Sequence, residues 1–336
     1  MTLQQFAHSK ALILARAHAK TVKKLRLLPN GELIAERYQT LVGDPNVVRY
    51  GILLSLMFED WLDLKNQKRQ EMFDQLHIQI LCLYALILEL DDFQDSNHQK
   101  QLEYPPETGT VASIQKLLEK NYSDEQSKYR TEWQNILLTE TISLFKIQQK
   151  EFEVSVDYWI EQFNNAVKQA SSTFILETAE DKKLGRLEEK LVVAANKNQM
   201  IVASAVLLAP LAYNDYGKML FETADKMMLP IQLVDDLYDW KTDYEEKRYT
   251  TLLRDVPNWT MTPDELYIFL VEGKYFQELL SKGIVLTDEI IEPLKGKKIG
   301  KVIYDLFVTL RAELQTQLEQ IEKFSLFIQK RKEVVN

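Results

Sequence analysis

Residues 231–243 read IQLVDDLYDWKTD, a stretch that interleaves apolar and acidic side chains. Leu229, Ile231, Leu233, Val234 and Leu237 follow the rhythm of a helix. Asp235, Asp239 and Asp243 recur at i, i+4 and i+8. At 100° per residue they fall within about 80° of one another on one helix face. Like charges one turn apart destabilise a helix by a few tenths of a kcal/mol per pair. Apolar neighbours raise that cost, because burial penalises charge. A hard divalent cation offsets it, since such ions take carboxylate oxygens.

Working outward, the same device occurs earlier. LCLYALILELDDFQD, residues 81–95, ends an apolar run in Asp91, Asp92 and Asp95, with Asp91 and Asp95 again at i, i+4. One acidic helix end reads equally well as a solvated face. Two DDxxD patterns, each closing an apolar helix, point to shared chemistry. Carboxylates repel a diphosphate unless Mg²⁺ ions are shared between carboxylate and phosphate oxygens. Such ions also stabilise the charge of a departing diphosphate. An apolar cavity beneath would hold the hydrocarbon cation left behind, with aromatic faces to stabilise it and dry walls to exclude water. Tyr84, Phe93, Tyr158, Trp159, Phe174 and Trp240 are the candidate walls, and each reads equally as ordinary core.

Helical periodicity continues along the rest of the 336 residues. It predicts helices at 2–27, 31–42, 46–62, 67–97, 110–120, 124–150, 152–178, 183–207, 210–244, 262–282 and 286–333, the last broken near Gly296 to Gly300. LPNG at 28–31, GDPN at 43–46, YPPETG at 104–109 and DVPNWTMTPD at 255–264 interrupt them. Asp44 before Pro45 reads as an N-cap followed by an N1 proline, and Thr262 and Asp264 around Pro263 look the same. Pro230 should kink its helix or mark its true start. With only 10 Gly and 9 Pro, and no alternating strand pattern, the economical fold is all-α. The expectation is one domain over 1–336, a bundle of about 10–12 helices around a central apolar cavity.

A net charge of −9 argues against nucleic acid as a partner. The charge is uneven, however. From Met1 to Gly31 there is no acid, while Lys10, Arg16, Lys20, Lys23, Lys24 and Arg26 are basic. This N-terminal helix, within 1–30, reads as a solvated face, a lid or a membrane-surface contact. Cys82 is the only cysteine and lies in an apolar run, which fits a core residue in a reducing, cytoplasmic setting. ALILA is too short for a signal-peptide core, and no apolar run reaches the roughly 18 residues of a membrane span.

Together these motifs resemble the class I isoprenoid synthases: trans-prenyltransferases, terpene cyclases, and squalene or phytoene synthases. DDFQD resembles the first aspartate-rich motif of that superfamily. IQLVDDLYDWKTD resembles the second motif of trans-prenyltransferases, FQxxDDxxD, with Ile231 for Phe and Gln232 kept. Read through EEKRY, it also resembles the phytoene synthase pattern, with Asp239, Asp243, Arg248 and Tyr249 as the matches. NKNQMIVASAVLLAPLAY resembles the prenyltransferase helix whose lysine touches diphosphate; Lys197 takes that place, followed by Asn198 where Thr is usual.

The resemblance implies Mg²⁺, three ions with bound diphosphate, held by Asp91, Asp92, Asp95, Asp235, Asp236, Asp239 and Asp243. It implies Lys197, Lys247, Arg248, Tyr249 and Gln232 at the substrate, and a homodimer as a common assembly. The chain departs from the elongating members. It has no GKxxR-like site; TLVGDPNVVRYGILL carries only Arg49, and SNHQKQLEYPP carries Lys100 where an Arg pair is usual. The weight moves to a terpene synthase that ionises one prenyl diphosphate and cyclises or quenches the cation. The alternatives are an elongating or head-to-head prenyl diphosphate synthase, and a silent prenyl-binding subunit.

Overall fold

The computed structural model describes Gln5 and residues 10–27, 31–42, 56–77, 79–81, 145–151, 155–163, 165, 166, 169, 199–213, 216–245, 250–253, 255–257 and 259–335. The chain is predominantly helical. Among the described residues there is no strand, only an isolated antiparallel bridge between Leu62 and Ala212. The all-α expectation holds. The chain divides into two compact units, residues 2–175 with 199–225, and residues 176–198 with 226–336.

In the first unit, α1 (Ala11–Leu25) and α2 (Gly31–Val42) pack together. α1 buries Thr21, Val22 and Leu25, while α2 buries Ala35 and Tyr38. The Tyr38 and His18 rings stack at 5.5 Å, with the hydroxyl 3.3 Å from Nδ1. α3 (Gln199–Leu208) is buried around the part described, from Ile201 to Leu208. Its run IVASAVLL has no polar face beyond Ser204, and a helix apolar all round belongs inside. Beyond it, Ala209–Leu211 forms one 3₁₀ turn. Asp63 N–H donates to the Leu211 carbonyl (2.8 Å) and Tyr213 N–H to that of Trp61 (3.0 Å). Gly217 follows because a Cβ there would stand 2.8 Å from the Ala209 carbonyl oxygen.

α4 (Tyr216–Glu245) is one continuous helix with Pro230 inside it, so Pro230 does not mark its start. The expected start at 210 is also displaced, because Pro210 and Leu211 are taken up by the 3₁₀ turn.

The second unit packs the end of α4 with α5 (Pro263–Glu272), α6 (Tyr275–Leu294) and α7 (Lys301–Val335). Thr262 caps α5 as expected: its hydroxyl accepts from Glu265 N–H, and Glu265 accepts from Thr262 N–H at 2.8 Å. The Thr262 N–H and hydroxyl, both donating to the Glu265 carboxylate, hold its pKa below the ordinary value. The expected break between 282 and 286 is overturned, since α6 runs through Gly283. That glycine admits α7, because a Cβ would meet Leu314 Cδ1 at 3.1 Å. The break falls instead at Gly273 and Lys274, with Lys274 in the left-handed region at φ 61°. The expected break near Gly296 to Gly300 is present, with φ of 73° and 74° at the two glycines. No helix among the described residues is long and apolar enough to cross a membrane.

One core group of the first unit is ionisable. His77 is buried, 4.2 Å from the Phe73 ring, and its Nε2 has no hydrogen-bond partner. Burial pushes its pKa from 6.5 down to about 4; Asp74 opposes that shift, and Lys20 and Lys10 add to it. The unfolded chain therefore takes up a proton near pH 6.5 that the folded protein refuses until about pH 4. The stability is full above pH 6.5 and falls by roughly 3 kcal/mol as the pH drops to 4. His77→Phe removes the titration and keeps the ring. In urea unfolding, the variant should gain on the parent steadily between pH 6.5 and 4; a constant offset would refute the assignment.

Candidate active site

The acidic face of α4 is held in place by an apolar face beside it. Leu233, Trp240 and Tyr244 lie at i, i+7 and i+11 and are buried among Leu252, Leu266, Leu270, Phe276 and Leu279. Trp240 stacks on Tyr267 at 5.9 Å and meets Phe276 edge-on at 6.1 Å. It is therefore a core residue of this unit rather than a wall of bare cavity. Tyr244 stacks on Trp259 at 5.2 Å, and its hydroxyl accepts from Met261 N–H at 2.8 Å. These aromatic contacts fix the rotation of α4 about its own axis.

That rotation sorts the acids. Asp235 and Asp239 are exposed, one turn apart. Asp236 and Asp243, which border the apolar stripe, are buried. Asp236 is only 2% exposed. One of its oxygens accepts from Gln232 Nε2 at 2.8 Å, and the other from Thr251 N–H at 2.9 Å. A buried carboxylate is tolerable when both oxygens receive hydrogen bonds. The same Gln232 nitrogen lies 3.2 Å from an Asp235 oxygen. Gln232, expected at the substrate, is itself buried and orients two acids. Asp236, expected on the metal, ties α4 to the returning chain.

Chemically, α4 presents two outward carboxylates on a rigid support. Asp239 has no side-chain partner among the described residues. Two carboxylates are what Mg²⁺ takes from a protein when waters and phosphate oxygens complete its octahedron. Asp235 and Asp239 are therefore the described residues that could hold such an ion on α4. Among the described residues, no group of three or more His, Cys, Asp or Glu is placed to hold a metal by itself.

Asp91, Asp92, Asp95, Lys197, Lys247, Arg248 and Tyr249 lie outside the described residues, as do Tyr84, Phe93 and Phe174. Trp159 sits between the Tyr158 and Phe221 rings, at 4.9 and 6.2 Å. On α7, Lys301 pairs with Asp305 at 3.1 Å and Arg311 with Asp288 at 2.6 Å. Thr251 and Tyr244 escaped the sequence reading. Thr251 contributes a backbone N–H, which no residue type announces, and nothing in the spacing around Tyr244 marks its hydroxyl as an acceptor for a distant N–H.

No protein-family model, curated protein or solved structure matches the chain.

The two kinds of acid should separate on substitution. Asp236→Ala removes one of the two acceptors of the Gln232 amide, leaves Thr251 N–H without its acceptor, and should cost roughly 1–3 kcal/mol in urea unfolding, with or without Mg²⁺. Asp239→Ala should change stability by less than about 0.5 kcal/mol, because it is exposed and loses a like-charge neighbour. Equal losses for the two would contradict the division.

Proposed function

We propose that this chain is a Mg²⁺-dependent class I terpene synthase of the isoprenoid synthase fold. It ionises an allylic prenyl diphosphate, then cyclises or quenches the carbocation and releases diphosphate. One observation carries the reading. Asp235 and Asp239 stand exposed one turn apart on a helix whose buried Gln232 holds the Asp235 carboxylate. A helix tolerates that repulsion when a cation is to be shared with phosphate oxygens. The DDFQD motif, with Asp91, Asp92 and Asp95, supplies the second set of carboxylates in this reading.

Bound Mg²⁺ supplies the positive charge that neutralises the leaving diphosphate. The chain's own residues bind and orient. Asp235 and Asp239 accept the ion, and Gln232 restrains the Asp235 carboxylate. Asp236 anchors Thr251, so the chain that leaves α4 at Glu245 returns to a fixed point. Lys247, Arg248 and Tyr249 belong to that short connection and, with Lys197, contact the diphosphate oxygens in this reading.

The first test is turnover. Purified protein with Mg²⁺ is incubated with geranyl, farnesyl and geranylgeranyl diphosphate, with and without isopentenyl diphosphate, and products are resolved by gas chromatography with mass spectrometry. Hydrocarbon or terpene alcohol without isopentenyl diphosphate is expected, falling roughly a hundredfold in Asp91→Ala and Asp239→Ala. Longer diphosphates formed only with isopentenyl diphosphate would establish an elongating enzyme instead.

A second test needs no turnover. Mg²⁺ with pyrophosphate at about 100 times Kd should stabilise the protein by about 2.7 kcal/mol, visible as a rise in Tm of several degrees. Asp239→Ala should abolish most of that rise. A rise without turnover would favour a silent prenyl-binding subunit, and neither signal would end the reading.

A further inference from the structure

The outward side of α1 carries a pattern that diphosphate chemistry does not use. Leu12, Arg16, Lys20, Lys23 and Leu27, the last in the turn after the helix, recur at i, i+4, i+8, i+11 and i+15. At 100° per residue they occupy one stripe about 80° wide. The opposite side holds the buried Thr21, Val22 and Leu25. The leucines are not partly sheltered core residues: Leu12 is 75% exposed and Leu27 80%. A single exposed leucine needs no explanation. Two of them, bracketing three cations on one stripe, make a composite surface.

Within α1 itself the charge has one sign. No acid occurs from Met1 to Gly31, in a chain whose net charge is −9. From α1 and the residues flanking it, Lys10 pairs with Glu59 at 2.6 Å, Lys20 with Asp74 at 2.7 Å and Arg26 with Glu32 at 3.2 Å. Arg16 and Lys23 have no ion pair among the described residues. The geometry also bears on the partner. At 1.5 Å per residue the two leucines are about 22 Å apart with cations between them. A protein partner usually offers a contiguous apolar patch at the centre of its contact. A flat surface with a layer of phosphates above an apolar interior matches leucines at the ends and cations between.

We propose that this face of α1 docks on an anionic lipid bilayer, with Leu12 and Leu27 entering the boundary of the acyl chains and Arg16, Lys20 and Lys23 meeting lipid phosphates. The rest of the acidic chain is repelled by such a surface, so the protein approaches α1 first. This inference is independent of the prenyl diphosphate reading.

The test is cosedimentation of the full chain with vesicles of phosphatidylglycerol and phosphatidylcholine, against vesicles of phosphatidylcholine alone. Binding to the anionic vesicles only is expected, weakened by added salt. Arg16→Gln with Lys23→Gln should lower partitioning about 25-fold, roughly fivefold per charge. Leu12→Ser with Leu27→Ser should lower it at least about tenfold. All four positions are exposed, and circular dichroism verifies that the variants fold. Absence of binding to anionic vesicles, or equal binding by parent and variants, overturns the proposal. So does a parent that self-associates in ultracentrifugation through this face and leaves vesicles alone, which would make it a contact between copies.

Discussion

The second unit depends on a buried carboxylate. Asp236 sits at the edge of an apolar core, where an unpaired charge would cost several kcal/mol. It is tolerated because one oxygen takes the Gln232 amide and the other takes the Thr251 backbone N–H. Those two bonds join points one turn apart on α4 and a point on the chain that returns from it. The Tyr244 hydroxyl makes a second such tie at Met261. The segment from Thr250 to Thr262 is thus held against α4 by polar bonds at both ends and by Leu252, Leu253 and Val256 in the core between them.

From that arrangement the contrast between the acids follows. A helix turns 100° per residue, so neighbours in sequence face different surroundings. Asp235 and Asp236 are adjacent, yet one lies exposed and the other buried. Trp240, Tyr244 and Leu233 set which is which, because large apolar side chains dominate the free energy of orienting a helix. The outward pair carries the reading as a metal-binding face, and Asp236 belongs to the scaffold behind it.

The first unit shows the same logic without charge. α3 is apolar nearly all round and is buried nearly all round. α1 is divided lengthwise, with His18, Val22 and Leu25 toward α2 and neighbouring core, and leucines and cations in water. Its inner side needs no further explanation than packing. Its outer side does, since Leu12 and Leu27 lie 75% and 80% exposed on either side of Arg16 and Lys23, which make no ion pair among the described residues.

Helical character was legible from residue spacing alone, because a period near 3.6 and scarce glycine and proline are properties of the chain itself. Thr262 with Pro263 announced the start of α5, since a cap is local chemistry. Gly296 and Gly300 announced a break for the same reason. The break expected between 282 and 286 does not occur at Gly283, because whether a glycine breaks a helix or admits a neighbour depends on whether another helix is there, and α7 is. Lys274 gave no warning, since a lysine enters the left-handed region only when the elements on both sides impose it. The acidic motif and its i, i+4 spacing were visible in the sequence. Which of its acids look outward was not, because the rotation of α4 is decided by Tyr267, Phe276 and Trp259, residues distant in the chain that meet it only in the folded protein.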